Sequence, residues 1–540
     1  MALLEIERLS VSIGATSILR DVDMTLDRGM VHALVGESGS GKTMTALALM
    51  QLLPHGAAMN GHIRLAGKDI ATASESEMCR LRGAEIGMVF QEPMTALNPV
   101  KTIGEQVAEG IRWHTGASRA EAEEQARAML DRVGLPPARF PLDRYPHQLS
   151  GGQRQRVVIA IACALKPRLL IADEPTTALD VILQAQILDL LKSLVAENDM
   201  GLLLISHDLA VVADMADRIT ILRRGEVVES GETVRVLSAP ADPYTRRFTQ
   251  ASLHMPDRPA PKAASGTPLL SVGNLTREYP GSRIELFSRA VPTRAVDNVS
   301  FEMAEGQSIA LVGRSGCGKS TLARMVLALD RPTSGEIRLD GQRIDNLPDD
   351  DALRQARQKM QIVFQDPYGS FDPRQKAETL VAEPLHLLDR KPTPVERRER
   401  VATVLERVGL SPDDMDKYPH QFSGGQRQRL AIARAIITGP KLVVADEPVS
   451  ALDVSIRARI LDLFADLTGK LGLAWLFITH DLNVARAMAE HVIVMDEGRI
   501  VEQGRTDDVL QNPQSEAARA LVAASPDLRL ILSGKLREQG

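Results

Sequence analysis

The chain has 540 residues, more than one ordinary core can bury, so several domains are expected. Apolar residues at 44% and charged residues at 25% match a soluble globular protein, and a net charge of −6 excludes the overall basic field of most nucleic-acid binders, so no nucleic-acid partner is expected. Cys79, Cys163 and Cys317 are the only cysteines, which excludes a cysteine-rich metal or iron–sulfur cluster and fits a reducing compartment.

The opening MALLEIERLS carries early acids and no basic stretch, so no secretory signal is expected there. A buried strand is predicted at HALVG, running directly into GESGSGKT and then into a helix, KTMTALALM. That context gives the G-x-x-x-x-G-K-[ST] pattern its meaning. Gly36, Ser38, Gly39 and Gly41 let backbone N–H groups turn onto phosphates, and the helix N-terminus adds positive potential. Lys42 is expected to reach the β- and γ-phosphates and Thr43 to hold Mg2+.

Beyond Gln91 in FQEP the chain reads as helical, with Ser118 and Glu121 as a capping box ahead of apolar Ala126, Met129, Leu130 and Val133. The run VVIAIACAL is short and flanked by charges, well below the roughly 18 apolar residues that span a bilayer. RLLIADE is a buried strand ending in Asp173 and Glu174, two carboxylates side by side where a γ-phosphate would sit. The first suits a metal-linked water; the second is placed to orient or deprotonate the attacking water. LLLISHD is another such strand, ending at His207. The proline- and alanine-rich stretch SAPADPYTRRFTQASLHMPDRPAPKAASGTP then reads as an extended linker, assigned to 252–268 and separating domains at 1–251 and 269–540.

The second part repeats the first. IALVG runs into GRSGCGKS, supplying Gly313, Ser315, Gly316, Gly318, Lys319 and Ser320; FQDP follows with Gln365, KLVVADE with Asp446 and Glu447, and WLFITHD with His480. Thr393, Pro394 and Glu396 start a helix with Val401, Val404, Leu405 and Val408 on one face. The second copy carries an extra segment near its front, RIELFSRAVPT, expected to be a surface loop. Cys317 lies inside the second glycine loop, where a helix N-terminus is expected to depress its pKa and make it a target for alkylation.

LSGGQ and FSGGQ, taken with GESGSGKT, VVIAIACALKPRLLIADEP and LLLISHD, resemble the nucleotide-binding domain of ABC transporters, over nearly the whole chain and twice. The resemblance implies an α/β fold of tandem P-loop domains, each an ATPase core with a β subdomain and a helical subdomain, binding ATP and Mg2+. It implies that Gln91 and Gln365 are Q-loop residues touching nucleotide and metal, that Asp180 and Asp453 belong to D-loops, and that His207 and His480 are switch histidines acting with Glu174 and Glu447 in catalysis. The metal ligands implied are Thr43, Gln91 and Asp173 in one copy and Ser320, Gln365 and Asp446 in the other. Such domains pair head to tail, here within one chain. One composite site would join Lys42, Thr43, Gln91, Asp173, Glu174 and His207 to Ser423, Gly424, Gly425 and Gln426. The other would join Lys319, Ser320, Gln365, Asp446, Glu447 and His480 to Ser150, Gly151, Gly152 and Gln153. Tyr279 matches the family's adenine-stacking aromatic, whereas the aligned residue of the first copy is Ile13, which departs from the pattern.

FQEPMTALNPVKTIGEQVAEGI, FQDPYGSFDPRQKAETLVAEPL, YPHQLSGGQ and PADPYTRRF are further similar to the ATPases of dipeptide, oligopeptide and nickel importers, and most to fused YejF-type subunits for peptides and microcin C. At the tail, NPQSEAARAL departs by lacking the tyrosine–threonine pair. The resemblance implies an ATP-hydrolysing motor for peptide import, docked on two integral-membrane permease subunits through the residues after Gln91 and Gln365. A periplasmic or other external peptide-binding protein would act through those permeases, and the chain would sit peripherally on the cytoplasmic face of the inner membrane. Two other readings stand beside it. A ribosome-associated tandem ABC translation factor would carry a long charged helical linker and SHDR in place of SHDLAVV; a tandem sugar-importer ATPase commonly has one degraded site and no LNP segment.

Overall fold

Unbroken apolar runs become the interior of a six-stranded sheet in each half of the computed structural model, which describes residues 2–177, 179–258, 266–281, 292–347, 350–366, 369–450 and 452–539. In the first half the strands lie in the order Glu226–Glu232, Arg218–Arg223, Val31–Val35, Gly201–Ile205, Leu169–Asp173, Ile86–Val89, parallel except for the terminal hairpin. Val31–Val35, Gly201–Ile205 and Leu169–Asp173 are buried at every residue, which is why they read as continuous rather than alternating. The second half repeats this order with Arg499–Arg505, His491–Asp496, Ser308–Gly313, Ala474–Ile478, Leu442–Asp446 and Met360–Val363. Asp173 pairs in register with Ile205 and Asp446 with Ile478, so the carboxylates and the glycine loops share the C-terminal edge of the strands.

Each half adds a four-stranded antiparallel sheet. Leu4–Ile13, Thr16–Leu26, Ala57–Leu65 and Lys68–Asp69 form the first; Leu270–Tyr279, Thr293–Met303, Ser334–Leu339 and Gln342–Arg343 form the second. Ile13 and Tyr279 end equivalent strands, opposite Thr16 and Thr293. The helical inserts match the sequence pattern. Ser118 caps Arg119–Arg132 with Glu121, and Thr393 caps Pro394–Arg407 with Glu396. Ala126, Leu130, Val133, Val401, Val404, Leu405 and Val408 are buried.

The halves also exchange helices. Pro243–Ser252, at the end of the first, packs on Val454–Leu471 of the second, and Glu516–Ala524 packs on Val181–Asn198. A last helix, Leu528–Gln539, returns to the first half, where Leu528 and Leu532 join its core and the Lys535 ammonium donates to the Asp214 carbonyl at 3.1 Å. The first residues of the expected linker are held on the second half rather than running free: His254 meets Asp462 at 2.6 Å and Arg258 meets Glu490 at 3.8 Å. Residues 259–265 of that stretch, and 282–291, where most of RIELFSRAVPT falls, lie outside the described residues. No helix among the described residues is long and apolar enough to cross a membrane.

Candidate nucleotide sites

In both halves the first strand of the core sheet delivers the glycine loop, and the helices Lys42–Leu49 and Lys319–Val326 begin at the loop lysines. Glycine is enforced at the strand exit. Gly36 has φ 154° and a Cβ there would meet the Leu222 carbonyl at 2.3 Å; Gly313 has φ 152° and would meet that of Met495 at 2.2 Å. Gly41 and Gly318 cap the helices at φ 107° and 104°, and Gly39 and Gly316 also have positive φ. Lys42 donates to the carbonyls of Gly36 (2.8 Å) and Glu37 (3.1 Å), and Lys319 to those of Gly313 (2.7 Å) and Arg314 (2.9 Å). Each ammonium thereby closes its loop into a ring. Thr43 and Ser320, the next residues of the helices, are exposed.

Asp173 is 2% exposed, and its Oδ1 is buried without a hydrogen-bond partner. Burial, reinforced by the neighbouring Glu174 charge, pushes its carboxyl up to about 6 although Thr43 and Lys42 oppose the shift. Asp446 is raised in the same way, by burial first and then by Glu447. An orphaned carboxylate oxygen beside a helix-borne hydroxyl is an arrangement of hard oxygen ligands that fits Mg2+, which keeps few protein ligands when phosphates supply the rest.

Glu174 and Glu447 both sit at φ 45°, a left-handed conformation costly for a non-glycine residue, held because their amides donate to Ile205 and Ile478 across the sheet at 3.0 and 2.8 Å. Each carboxylate meets a histidine. Glu174 lies 3.1 Å from the His207 Nδ1 and accepts from Gln91 Nε2 (3.0 Å) and the Thr177 hydroxyl (3.0 Å). Glu447 has the same ring of partners, His480 at 3.0 Å and Gln365 at 2.7 Å. Burial opposes ionisation of Glu174, yet the hydrogen bond and charge of His207 outweigh it and hold the carboxyl at about 2. Glu447 is lowered by the same balance, and both histidines are raised: burial disfavours their charge but the glutamates more than compensate.

The SGGQ segments form capped helix starts. The Ser150 amide donates to the Gln153 side-chain oxygen at 2.9 Å, and Ser423 repeats this with Gln426 at 3.0 Å. The second glycine has a packing reason, since a Cβ on Gly152 would meet Leu183 at 3.0 Å and one on Gly425 would meet Ile456 at 2.5 Å. Gly151 and Gly424 are exposed and nearly unobstructed, so packing does not explain them.

The halves meet at the loops. The Asp453 carboxylate of the second half accepts the Ser38 amide of the first at 2.8 Å, and Asp180 of the first accepts the Ser315 amide of the second at 3.1 Å. Neither spacing nor periodicity signals this exchange, the Ser455 hydroxyl donating to Glu37 at 2.6 Å, or Thr177 on Glu174. Glu174, His207, Glu447 and His480 all line one central cavity of 120 Å³. Tyr279 donates its hydroxyl to Asp330 at 2.7 Å, and the Arg277 guanidinium covers one face of its ring at 4.6 Å. The expectation for Cys317 is corrected: its side chain is buried, and burial raises the thiol pKa despite the Lys319 ammonium 3.9 Å away.

The sequence profile of the ABC transporter family matches residues 19–177 and 296–450. The glutathione import ATP-binding protein GsiA of Salmonella paratyphi A is 46% identical over 94% of this chain and 86% of its own length, and that of Escherichia coli O157:H7 is 47% identical over the same shares. Two glycine loops, two pairs of strand-end carboxylates with their histidines, and this likeness along the whole length lead to one conclusion: the chain belongs to the ABC transporter family and fuses two of its ATPase domains.

Proposed function

We propose that the chain is the ATP-hydrolysing motor of an importer for short peptides of the size of glutathione, a tripeptide, working as an intramolecular head-to-tail pair. The observation that carries the paired arrangement is the reciprocal contact of Asp453 with the Ser38 amide and of Asp180 with the Ser315 amide. The substrate class is supported by the glutathione-importing relatives.

Bound ATP supplies the transferable phosphoryl group and Mg2+ neutralises its charge. Lys42 and Lys319 would exchange their loop carbonyls for phosphate oxygens, and Thr43 with Asp173, or Ser320 with Asp446, would hold the metal, with Gln91 and Gln365 adding side-chain oxygens. Glu174 and Glu447 would take the proton of the attacking water. A carboxylate held at about 2 by His207 is a weak base. A bound phosphate competing for His207 would weaken that hold and make Glu174 a better base. SGGQ of the opposite half, with its unobstructed first glycine, would close each site.

The residues after Gln91 and Gln365 would dock two membrane permeases at the cytoplasmic face of the membrane, and an external peptide-binding protein would act through them; Val100 (79% exposed) and Trp113 (62%) give the first insert an apolar outer face. The test is uptake of labelled glutathione and dipeptides by a strain lacking the chain. Loss of uptake, restored by the wild-type chain but not by one with both Lys42→Ala and Lys319→Ala, is expected. Normal uptake accompanied by a defect in translation would overturn the reading.

A further inference from the structure

Where the first glycine loop meets the second half, the surroundings turn strongly basic. Arg223, Arg224 and Arg247 of the first half and Arg459 of the second line one cavity of 360 Å³ together with Ser38 and Gly39 of the loop. Lys42, Thr43, Asp173 and Glu174 are not among its walls, so it adjoins the first nucleotide site across the outer side of the glycine loop rather than containing those residues. Among the described residues no carboxylate forms an ion pair with any of the four guanidinium groups. The single carboxylate in the walls, Glu37, accepts the Ser455 hydroxyl at 2.6 Å and offsets only one of the four positive charges. Arg223 is braced over the ring of buried Tyr244 at 4.9 Å, and Tyr244 in turn stacks on Phe248 at 5.9 Å.

The duplication provides an internal control. The turn Arg223–Arg224–Gly225 is rebuilt in the second half as Asp496–Glu497–Gly498, with φ 51° at Arg224 and 44° at Glu497 and with 85° and 83° at the two glycines. Counted from the equivalent helix starts, Arg247 becomes Ala520, Arg459 becomes Gln186 and Tyr244 becomes Ala517, while Glu37 of the loop becomes Arg314. The same backbone is thus built from opposite or neutral side chains. The fold does not require the four arginines. Gathering four like charges around one cavity costs electrostatic repulsion unless an anion enters.

The geometry points to a binding site for a small dissolved phosphoryl anion of the pyrophosphate class, present beside the first nucleotide site only and bridging the two halves. Arginine forks pair bidentately with phosphoryl oxygens, and several of them together favour an anion of multiple charge over a single carboxylate. Three arginines come from one half and one from the other, so an occupant would tie the halves together next to the Ser38–Asp453 contact. Occupancy therefore favours the closed arrangement at that site.

The test uses the full chain with both nucleotide sites filled by a non-hydrolysable ATP analogue and Mg2+, then freed of excess metal and titrated with pyrophosphate by calorimetry. One equivalent per chain is expected to bind. Exchanging in the second half's residues, Arg223→Asp with Arg224→Glu, should weaken binding at least tenfold, as should the mild Arg459→Gln from the other side, with analogue binding unchanged. Asp496→Arg with Glu497→Arg should leave pyrophosphate binding by the first-half cavity unaltered. Absence of saturable binding, equal binding in the exchanged variants, or retention only on phosphatidylglycerol vesicles would overturn the proposal.

Discussion

The two halves agree where chemistry is expected and diverge one layer behind it. Their glutamate–histidine distances are 3.1 and 3.0 Å, their loop-lysine contacts 2.8 and 2.7 Å, and their glutamates share φ 45°. Behind the first glycine loop lies a polar chain: His32 is 1% exposed and bonds the Thr25 carbonyl and the Thr220 hydroxyl, both at 2.8 Å, and Thr220 passes on to Ser230 at 2.8 Å. The second half has Ile309 and Ile493 in the places of His32 and Thr220, both buried. A duplicated site can hold its reacting groups fixed while the core that supports them is rebuilt, because packing accepts many solutions and a proton-transfer geometry accepts few.

The strongest way to break the comparison is to remove both proposed bases. Glu174→Gln with Glu447→Gln should lower steady-state ATPase activity by about 10²–10⁴-fold with nucleotide binding retained, since the glycine loops and the proposed metal ligands are untouched. Each single change should leave activity from the other site. Residual rates that differ strongly between the two single variants would show that equal geometry hides unequal turnover.

The next effect is a pH response confined to one half. Burial lowers the His32 pKa from its ordinary 6.5 to about 4, so the folded first half refuses a proton that the unfolded chain accepts. Its stability is full above pH 6.5 and falls as pH drops from there toward 4, by about 3 kcal/mol in all. Hydrogen exchange resolved by half should show the first half loosening before the second, and His32→Leu should flatten the response.

The smallest effect separates the two aspartates that join the halves, Asp180 and Asp453. Asp180 both receives the Ser315 amide and caps the helix Val181–Asn198 through the Leu183 amide at 3.0 Å, whereas the Asp453 side chain caps nothing. Asp180→Ala should therefore cost about 1 kcal/mol more in thermal or denaturant stability than Asp453→Ala. Equal costs would mean that the contact between halves outweighs the cap.

Much of this was readable beforehand for definite reasons. Strands buried on both faces leave unbroken apolar runs, and a backbone turn at φ 154° leaves a glycine, so Gly36, Lys42, Asp173 and Glu174 are visible in sequence. Contacts made in trans leave no periodicity. The Asp453–Ser38 bond joins residues far apart in the chain, and the burial that raises Cys317 is invisible where only its position beside a helix start can be read. The divergent tail is instructive as well. PADPYTRRF and NPQSEAARAL share little, yet Glu229 accepts the Asp242 amide and Glu502 the Ser515 amide, and both Asp242 and Ser515 cap the following helix. Different residues meet the same demand of a helix start for acceptors.

The helix Leu528–Gln539, seated on the first half, has a consequence for concentration. The chain is fastened to itself twice, once by the connection through 252–268 and once by its own end. Each half therefore meets its partner at an effective concentration on the order of millimolar, whatever the dilution in the cell. Pairing becomes a first-order event that scarce expression cannot abolish, and the two kinds of half cannot be assembled in the wrong ratio. Cutting between them and trimming the last helix together would turn the motor into one whose activity depends on how much of it is present.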